Sequence, residues 1–469
     1  MRYFRMMMGG LLGATLAHAA VPDMQGTLEL RWGDSSPGAE PQSQFEVAVV
    51  EADGTRHPLD TASALRAAGN LFAMAGRRVA LSVQPGPWPD GKLVADAIVV
   101  ADASAKAAAT PLVSGSQPWV TLACKFSDIA TEPQTVAYFS TMLSNTTGRL
   151  DHYWREVSYN KVNVAGSTAY GWFTLPHPRS YYVPVGANCS SPRANLDALF
   201  TDCTAAADST VNFSPFVGIN TFYNGDLDGC AWGGGHYAAL DGPSRLWYAT
   251  WEPPWGYQHE APLGHEMGHG FGLPHANNSD LDSDTYDNPW DVMSDSWHNA
   301  TGSSGGTYGW LPKHLSIWSR DDLGWVDAPR KLTVSTNGAI NGIVLDRASL
   351  IGSTHVQMIV VTLPGEPATH YYVIEARKKV GTYEANLAGD AVIIHEVKTD
   401  RDAPAWSVDA SVPPENVSNN EGSMFKVGES WTAPGNAFTV SVTSATTDGF
   451  VLNLQRGAGD LIFKNGFDG

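Results

Sequence analysis

The sequence predicts an α+β protein, with a central region of helices and strands between a small N-terminal β-domain and a C-terminal β-sandwich. The composition gives the first indication, since 47 Gly and 29 Pro among 469 residues are typical of many turns and much β-structure. Short apolar runs bounded by Gly, Pro and Asp near both ends of the chain give the second. Helical periodicity confined to the middle of the chain gives the third. The length allows two to four domains of about 150 residues.

The first twenty residues have the pattern of a signal peptide. Arg2 and Arg5 precede a short apolar run, and Ala17-His18-Ala19 fits a small-x-small cleavage site. The alternative is a buried N-terminal helix. No other apolar run approaches the 18 or more residues that span a bilayer. We therefore expect a secreted protein, extracellular or periplasmic, with residues 1–20 removed and no membrane partner.

Residues 21–113 predict the N-terminal β-domain, which we consider a candidate propeptide. The predicted strands are 28–32, 45–50, 79–83 and 93–100. An Ala- and Ser-rich stretch at 104–116 resembles a linker.

The central region, 114–328, mixes the two kinds of element. Leu196, Leu199, Phe200 and Cys203 fall on one face of a predicted helix at 193–207. The other predicted helices are 133–144 and 149–158, and the predicted strands are 119–126, 216–223 and 246–251.

Strands dominate again from 329 to 456, which predicts the C-terminal β-sandwich. The predicted strands are 355–363, 370–376, 391–397, 438–443 and 450–455. Residues 457–469 are interpreted as a C-terminal tail.

The net charge excludes some partners. With 48 acidic and 29 basic side chains, the chain carries a formal charge of −19. Nucleic acid and anionic membrane surfaces both require basic faces, so neither is expected as a partner. We expect a monomer.

Four cysteines predict two disulfide bonds, because an even number in an exported chain favours pairing. Three connectivities are possible. Since Cys189 and Cys203 bracket a short segment, we expect that pair, which leaves Cys124 with Cys230. A metal site made of cysteines is the alternative, but no C-x-x-C spacing supports it.

Residues 265–275, HEMGHGFGLPH, carry the strongest chemical signal. His265 and His269 are four residues apart and share one face of a helix, so both can bind one Zn²⁺. Glu266 lies beside them as a candidate general base. Gly272 allows the helix to end, and His275 returns as a third nitrogen ligand. Three protein ligands leave one position open, which is typical of a catalytic zinc site.

This segment resembles the signature of the metzincin zinc peptidases, in which H-E-x-x-H-x-x-G-x-x-H is followed by a Met-containing turn. Asp291-Val292-Met293-Ser294 resembles that turn, with Met293 18 residues after His275. Within the metzincins the chain is most similar to secreted peptidases of the gametolysin and immune inhibitor A type. The resemblance covers about 114–456, and its looser matches are 125–128, 153–159, 315–325 and 371–377.

The resemblance implies a metzincin-type catalytic domain, with a twisted mixed sheet and an active-site helix, and a zinc-dependent endopeptidase acting on extracellular proteins or peptides. Met293 would lie beneath the metal as a hydrophobic support. Two features depart from the family pattern. Asp295 stands where some metzincins have a tyrosine, and residues 21–113 contain no cysteine to cap the zinc. The sequence shows no other device for latency.

Two other functions remain open: a secreted binding or adhesion protein with a vestigial zinc site, and a zinc hydrolase of non-peptide substrates. The intact Glu266 argues against the first, because a binding module needs no base. Residues 246–251 are our candidate for the strand edge that pairs with substrate, with an interior strand as the equal alternative.

Clustered carboxylates follow the zinc motif. They suit Ca²⁺, but we favour a solvated acidic loop, with Asp291 supporting a histidine ligand or the turn. The acids are Asp280, Asp282, Asp284, Asp287 and Asp291. Four further histidines are assigned no role: His236, His259, His370 and His395.

Overall fold

The computed structural model describes residues 24–36, 43–101, 113–280, 284–411 and 421–457. The predicted signal peptide, most of the predicted linker, Asp282 and the tail from residue 458 lie outside these ranges.

The N-terminal segment, residues 24–101, is a strand-rich unit with one α-helix. The helix begins after Asp60, whose carboxylate accepts a hydrogen bond from the Ser63 amide and so caps the first turn. The apolar side chains of the segment pack into a core of their own. Its elements are β1 (Met24–Ser35), β2 (Ser43–Val50), β3 (Arg56–Leu59), α1 (Thr61–Ala68), β4 (Arg78–Val83) and β5 (Ala95–Val100).

The central region, from residue 113 to Asp327, contains the predicted helices and strands together with several elements that were not predicted. The elements are β6 (Gly115–Ser116), β7 (Trp119–Lys125), α2 (Val136–Met142), α3 (Leu150–Val157), β8 (Val162–Asn163), β9 (Thr168–Thr174), α4 (Arg179–Tyr182), α5 (Leu196–Ala207), β10 (Gly218–Tyr223), β11 (Cys230–Ala238), β12 (Arg245–Glu252), α6 (Pro254–Tyr257), α7 (Glu260–Gly270), β13 (Asn277–Asn278), β14 (Thr301–Gly302), β15 (Trp310–Leu311) and α8 (Ile317–Asp322).

One sheet runs through both of these regions, in the order β3-β2-β1-β11-β12-β10-β7-β9. Strands β12, β10, β7 and β9 are parallel to their neighbours in this run, whereas β11 is antiparallel to β12 and to β1. The edge of the central part of the sheet is therefore β11. Our candidate edge strand, 246–251, lies in β12, an interior strand between β11 and β10.

Side chains on β7 alternate between two cores, because successive residues of a strand point to opposite faces of its sheet. Trp119 and Ala123 pack in the core that contains Leu263 and Met267 of α7. Val120 and Leu122 pack in the core that contains Leu199 of α5. Helices α7 and α5 thus cover opposite faces of the sheet.

The C-terminal region consists of two sheets that enclose a core of Val, Ile, Leu and aromatic side chains. The sheet orders are β13-β21-β20-β19-β18-β16 and β17-β24-β23-β22. The elements are β16 (Lys331–Val334), β17 (Gly338–Asp346), β18 (Met358–Thr362), β19 (His370–Arg377), α9 (Gly381–Glu384), β20 (Ala391–Lys398), β21 (Ala405–Ser407), β22 (Ser430–Thr432), β23 (Phe438–Ala445) and β24 (Gly449–Arg456). The chain is thus a mixture of sheets and fewer helices, as the α+β prediction requires.

Two disulfide bonds are present, but the expected connectivity is wrong. Cys124 bonds to Cys203, and Cys189 bonds to Cys230, with Cα–Cα distances of 5.9 and 5.5 Å. Because α5 packs across the sheet, Cys203 faces Cys124 on β7 rather than its nearer neighbour in sequence. The second bond ties the loop before α5 to the start of β11.

In the described ranges, no helix is both long and apolar enough to cross a membrane.

Candidate metal centre

Helix α7 presents two of the predicted ligands on one face. It begins after His259 and ends at Gly270, so His265 and His269 both lie within its regular turns. Gly272 follows with a φ of +95°, a left-handed conformation that glycine adopts without steric cost. Its amide donates to the carbonyl of His269, which turns the chain back toward His275.

The three histidines meet at one point. The Nε2 atom of His269 lies 3.0 Å from Nε2 of His265 and 3.1 Å from Nε2 of His275. Nδ1 of His265 faces the Val292 carbonyl at 2.6 Å, and Nδ1 of His269 faces the Leu273 carbonyl at 2.7 Å. Each Nδ1 must carry the proton to make these bonds, so in the neutral rings both Nε2 atoms present lone pairs to each other. A cation between them relieves that repulsion.

A fourth ligand atom comes from a different part of the chain. Asp34, near the end of β1, places Oδ1 2.7 Å from Nε2 of His275. Its Oδ2 lies 3.5 Å from Nε2 of His265 and 3.4 Å from Nε2 of His269. These four buried side chains form a group that could hold a metal ion.

The pairing of β1 explains how Asp34 reaches this point. Residues 31–35 of β1 pair antiparallel with β11, with Arg31 opposite Gly234 and Asp34 opposite Ala231. On β1 the side chains of Trp32 and Asp34 share a face, and Trp32 stacks on the His269 ring at 4.6 Å between centroids. The N-terminal segment therefore covers both the strand edge and the histidines.

Glu266 lies beside the cluster and is 1% exposed. Burial, together with the negative charges of Asp34 and Glu252, raises the pKa of the Glu266 carboxyl well above its usual value. A side chain at Gly233 on β11 would overlap the Glu266 backbone carbonyl and come within 2.7 Å of its carboxylate. The glycine at that position is what allows β11 to lie so close to the helix.

Met293 packs against α7, and Asp291 accepts hydrogen bonds within the turn that carries Met293. Met293 is fully buried, and a side chain at Gly268 of α7 would come within 2.5 Å of its sulfur. One Asp291 oxygen accepts from the Met293 amide at 2.9 Å, and the other accepts from the Ser316 amide at 3.0 Å. Asp291 thus supports the turn and the start of α8, one of its two expected roles.

Asp295, in the position where some metzincins carry a tyrosine, pairs with buried Lys313 at 3.0 Å and is not a member of the ligand group. A tyrosine reaches the site from another segment. The hydroxyl of Tyr286 donates to Oδ1 of Asp34 at 2.7 Å. Burial and the Asp34 charge raise the Tyr286 pKa well above its usual value, so this phenol keeps its proton.

The expectation of a solvated acidic loop is wrong for Asp287, which is 1% exposed. Asp291, the acid expected to support the turn or a histidine ligand, is 0% exposed. An Asp287 oxygen accepts from the Asn278 amide at 3.1 Å, and an Asp284 oxygen accepts from the Tyr286 amide at 2.8 Å. These carboxylates hold the backbone of the loop. In the described part of the chain, the only convergent group of three or more metal-ligating side chains is the Asp34 and histidine group.

All four histidines given no role lie outside the ligand group. His259 accepts from the Trp310 amide at 3.2 Å, His395 pairs with buried Glu375 at 2.9 Å, and His370 pairs with Glu396 at 2.9 Å. His236, by contrast, contacts Arg31 of the N-terminal segment.

Sequence reasoning missed Asp34 and Tyr286. Nothing in the local sequence around Asp34 distinguishes it from other acids, because its role depends on strand pairing between distant segments.

Comparison with known protein families and with curated proteins found no match to this chain.

Proposed function

We propose that this protein is a secreted zinc endopeptidase, produced as a latent precursor whose N-terminal segment covers the active site. The observation that carries the proposal is the convergence of three histidine Nε2 atoms beside the buried carboxylate of Glu266. Two disulfide bonds fit an oxidising compartment, in agreement with the signal peptide predicted at residues 1–20.

The donor set fits Zn²⁺. Ligands around a tetrahedral Zn²⁺ at about 2.0–2.1 Å are separated by roughly 3.3 Å, close to the spacing of the nitrogen atoms here. His265, His269 and His275 would hold the ion, and Asp34 would complete the set. When bound, Zn²⁺ acts as a Lewis acid and lowers the pKa of water.

Glu266 would act as general base and acid. Burial raises the pKa of this carboxyl, which makes the carboxylate a stronger base than one in water. It would take a proton from the attacking water and pass it to the nitrogen of the leaving amine. Gly233 keeps the adjacent strand close enough to exclude bulk water from that face of the carboxyl.

Tyr286 would supply a hydrogen bond to the reacting carbonyl. Its hydroxyl now donates to an Asp34 oxygen, and that oxygen stands in for an oxygen of the substrate. A donor aimed at developing negative charge stabilises the transition state.

The pairing of β1 with β11 favours peptides over other substrates. An extended chain already lies on this edge with a main-chain register over five residue pairs. Peptide substrates that add a strand to the same edge would use the same backbone hydrogen bonds. Asp34 and β1 would have to leave first, which makes residues 24–36 the inhibitory element.

The test is to purify the full-length chain and its Glu266→Gln variant, measure bound metal by elemental analysis, and assay casein digestion after processing. We expect about one zinc per chain in both proteins and digestion by the wild type alone. Equal digestion by both proteins would remove Glu266 from the mechanism. Zinc without digestion in the processed wild type would refute the peptidase proposal, and a protein without zinc would refute the metal site.

A further inference from the structure

Arg31 lies in a pocket on the face of the sheet opposite to α7. It is 3% exposed. Its Nε donates to the Gly235 carbonyl at 3.0 Å, Nη1 to the Asp197 carboxylate at 2.8 Å, and Nη2 to Nδ1 of His236 at 2.8 Å. The guanidinium carbon lies 5.3 Å from the centre of the Trp251 ring. We call this set of four residues, Asp197, Gly235, His236 and Trp251, the Arg31 pocket.

All four pocket residues belong to the central region, so the pocket remains when the N-terminal segment leaves. Glu29, the other acid that contacts Arg31, would leave with it, because both lie on β1. Phe200 of α5 packs on the His236 ring at 4.1 Å between centroids and holds it in place. The emptied pocket would therefore keep one carboxylate, one carbonyl, one ring nitrogen and one aromatic face.

The charge of the pocket is negative. Burial and the positive charge of Arg31 lower the pKa of His236, so its Nδ1 accepts rather than donates. Burial opposes ionisation of Asp197, but the positive charge of Arg31 and the hydrogen bond that its guanidinium donates lower the Asp197 pKa below the usual value. When Arg31 leaves, the pocket keeps the Asp197 carboxylate, has no arginine or lysine among its four residues, and lies beside an open edge strand.

The geometry points to a substrate-binding role, an inference that rests on the proposed function. We propose that, after the N-terminal segment leaves, the Arg31 pocket binds an arginine side chain of the peptide substrate, three residues before the residue that meets the metal. This position follows from the register, because Arg31 precedes Asp34 by three residues on a strand antiparallel to β11.

Arginine fits this pocket better than lysine. Each of the three guanidinium nitrogens contacts a different acceptor, and the planar group lies near an aromatic ring. One ammonium nitrogen cannot reach three acceptors in this arrangement. The pocket should therefore discriminate by shape as well as by charge.

A binding experiment tests the pocket without catalysis. In the Glu266→Gln chain, a site-specific protease sequence replaces residues 104–112, the chain is cut there, and the release rate of the labelled N-terminal segment is measured. Arg31→Met should release about tenfold faster or more, since a charged hydrogen bond contributes enough for such a factor. The release rate of Arg31→Lys should lie between those of the wild-type segment and Arg31→Met. In an Asp197→Asn background the effect of Arg31→Met should largely disappear. Release at the wild-type rate in Arg31→Met would overturn the proposal.

A substrate experiment tests the position. The processed wild-type enzyme is given peptides that differ at one residue only, the one three positions before the residue that meets the metal. That residue is arginine, citrulline or methionine. We expect kcat/KM to favour arginine over citrulline by about tenfold, and Asp197→Asn to remove this preference. Asp208→Asn, an exposed change at the end of the same helix, is the matched control and should retain it.

Equal rates for arginine and citrulline would overturn the substrate role. An arginine preference at another position would overturn the register. If no peptide is cleaved, the peptidase proposal fails, and with it the substrate role of the pocket. The release experiment would still decide whether the pocket selects a guanidinium group.

Discussion

The N-terminal segment and the C-terminal sandwich both pack against the central region, but they do so in different ways. The N-terminal segment keeps its apolar side chains in a core of its own, between residues 28 and 98. Its contact with the centre includes one antiparallel strand pairing, stacking of Trp32 on His269, and the polar contacts of Arg31 and Asp34. Such an interface can open without dividing a hydrophobic core.

The C-terminal region instead shares a core with the centre. Met358, Val373 and Tyr383 pack in the same cluster as Leu263 and Met267 of α7. Fully buried charges also cross this boundary. Arg377 donates to the Trp290 carbonyl and pairs with Glu375 and Glu384, all four residues being fully or almost fully buried.

The difference between a separate core and a shared core indicates which part of the chain could move away from the central region. Separating the C-terminal region would expose apolar surface and leave buried charges without partners, and both are costly. Separating the N-terminal segment would break the pairing between β1 and β11 and a few polar contacts. The candidate metal centre is covered by the N-terminal segment, which keeps a core of its own, and it lies against the core that the central and C-terminal regions share.

Truncation should have the largest effect. A chain that ends at residue 328 should be insoluble or unfolded, because it loses one side of the shared core. A chain that begins at residue 113 should fold, since its cores do not include the N-terminal segment. Circular dichroism and thermal unfolding of the two truncated chains measure this. Cooperative unfolding of the first, or loss of structure in the second, would reverse the comparison.

Arg377→Met tests the buried charges at the C-terminal boundary. It leaves the Glu375 and Glu384 carboxylates in a dry environment without their cation, which should lower the free energy of unfolding by about 3–5 kcal/mol. Denaturant titration measures the loss. Lys398→Met, a change at a side chain that is 37% exposed, should cost less than about 1 kcal/mol. Equal losses in the two variants would mean that the Arg377 network contributes no more than a surface pair.

The local parts of the candidate metal centre could be predicted from the sequence, because the spacing of His265, Glu266 and His269 on one helix face depends only on helix geometry. The strands with long apolar runs could also be predicted, because an apolar run bounded by turn residues is a local signal. The edge strand β11 could not, since three glycines in a row at 233–235 have little strand propensity. These glycines are explained by close neighbours: Glu266 at Gly233, the β1 backbone at Gly234 and Leu246 at Gly235.

The disulfide pairing and the role of Asp34 depend on which distant segments lie side by side. Cys203 is nearer to Cys189 in sequence, yet it meets Cys124 because α5 crosses the sheet over β7. Asp34 meets three histidines more than 200 residues away because β1 pairs with β11. Neither contact has a periodicity or motif that a single sequence reveals.

Asp34→Ala tests the cover at the N-terminal boundary. Removing the carboxylate deletes its contacts with His275 and Tyr286, and a charged hydrogen bond of this kind contributes roughly 1.5–3 kcal/mol. We expect the intact, uncut chain to gain peptidase activity by about tenfold or more. Initial rates on a quenched fluorescent peptide measure it, with uncut protein verified by gel.

Glu51→Ala is the matched control, since Glu51 lies in the same segment and pairs only with His57 among the ion pairs of the described residues. It should leave the uncut chain as inactive as the wild type. A gain of the same size in both variants would indicate general loosening of the segment rather than release of the metal centre.

Asp322→Asn should have the smallest effect. Asp322 lines a cavity between the N-terminal segment and the central region. The cavity, of about 320 Å³, is lined by Ala75 and Arg77 of the N-terminal segment and by Phe271 and Asp322 of the centre. Burial and the negative charge of Asp321 raise the pKa of Asp322 to about 7. Since the folded-state pKa lies above the unfolded value of about 3.9, the folded protein binds the proton more tightly.

The stability that comes from this proton is present below about pH 4 and is lost as the pH rises through about 7. Asp322→Asn keeps a neutral side chain at every pH, so its melting temperature should exceed that of the wild type at pH 8 more than at pH 5. Differential scanning calorimetry at the two values measures the change, with exposed Asp208→Asn as the control. A constant difference across this range would show that Asp322 ionises freely. The cavity between the N-terminal segment and the central region would then be open to water.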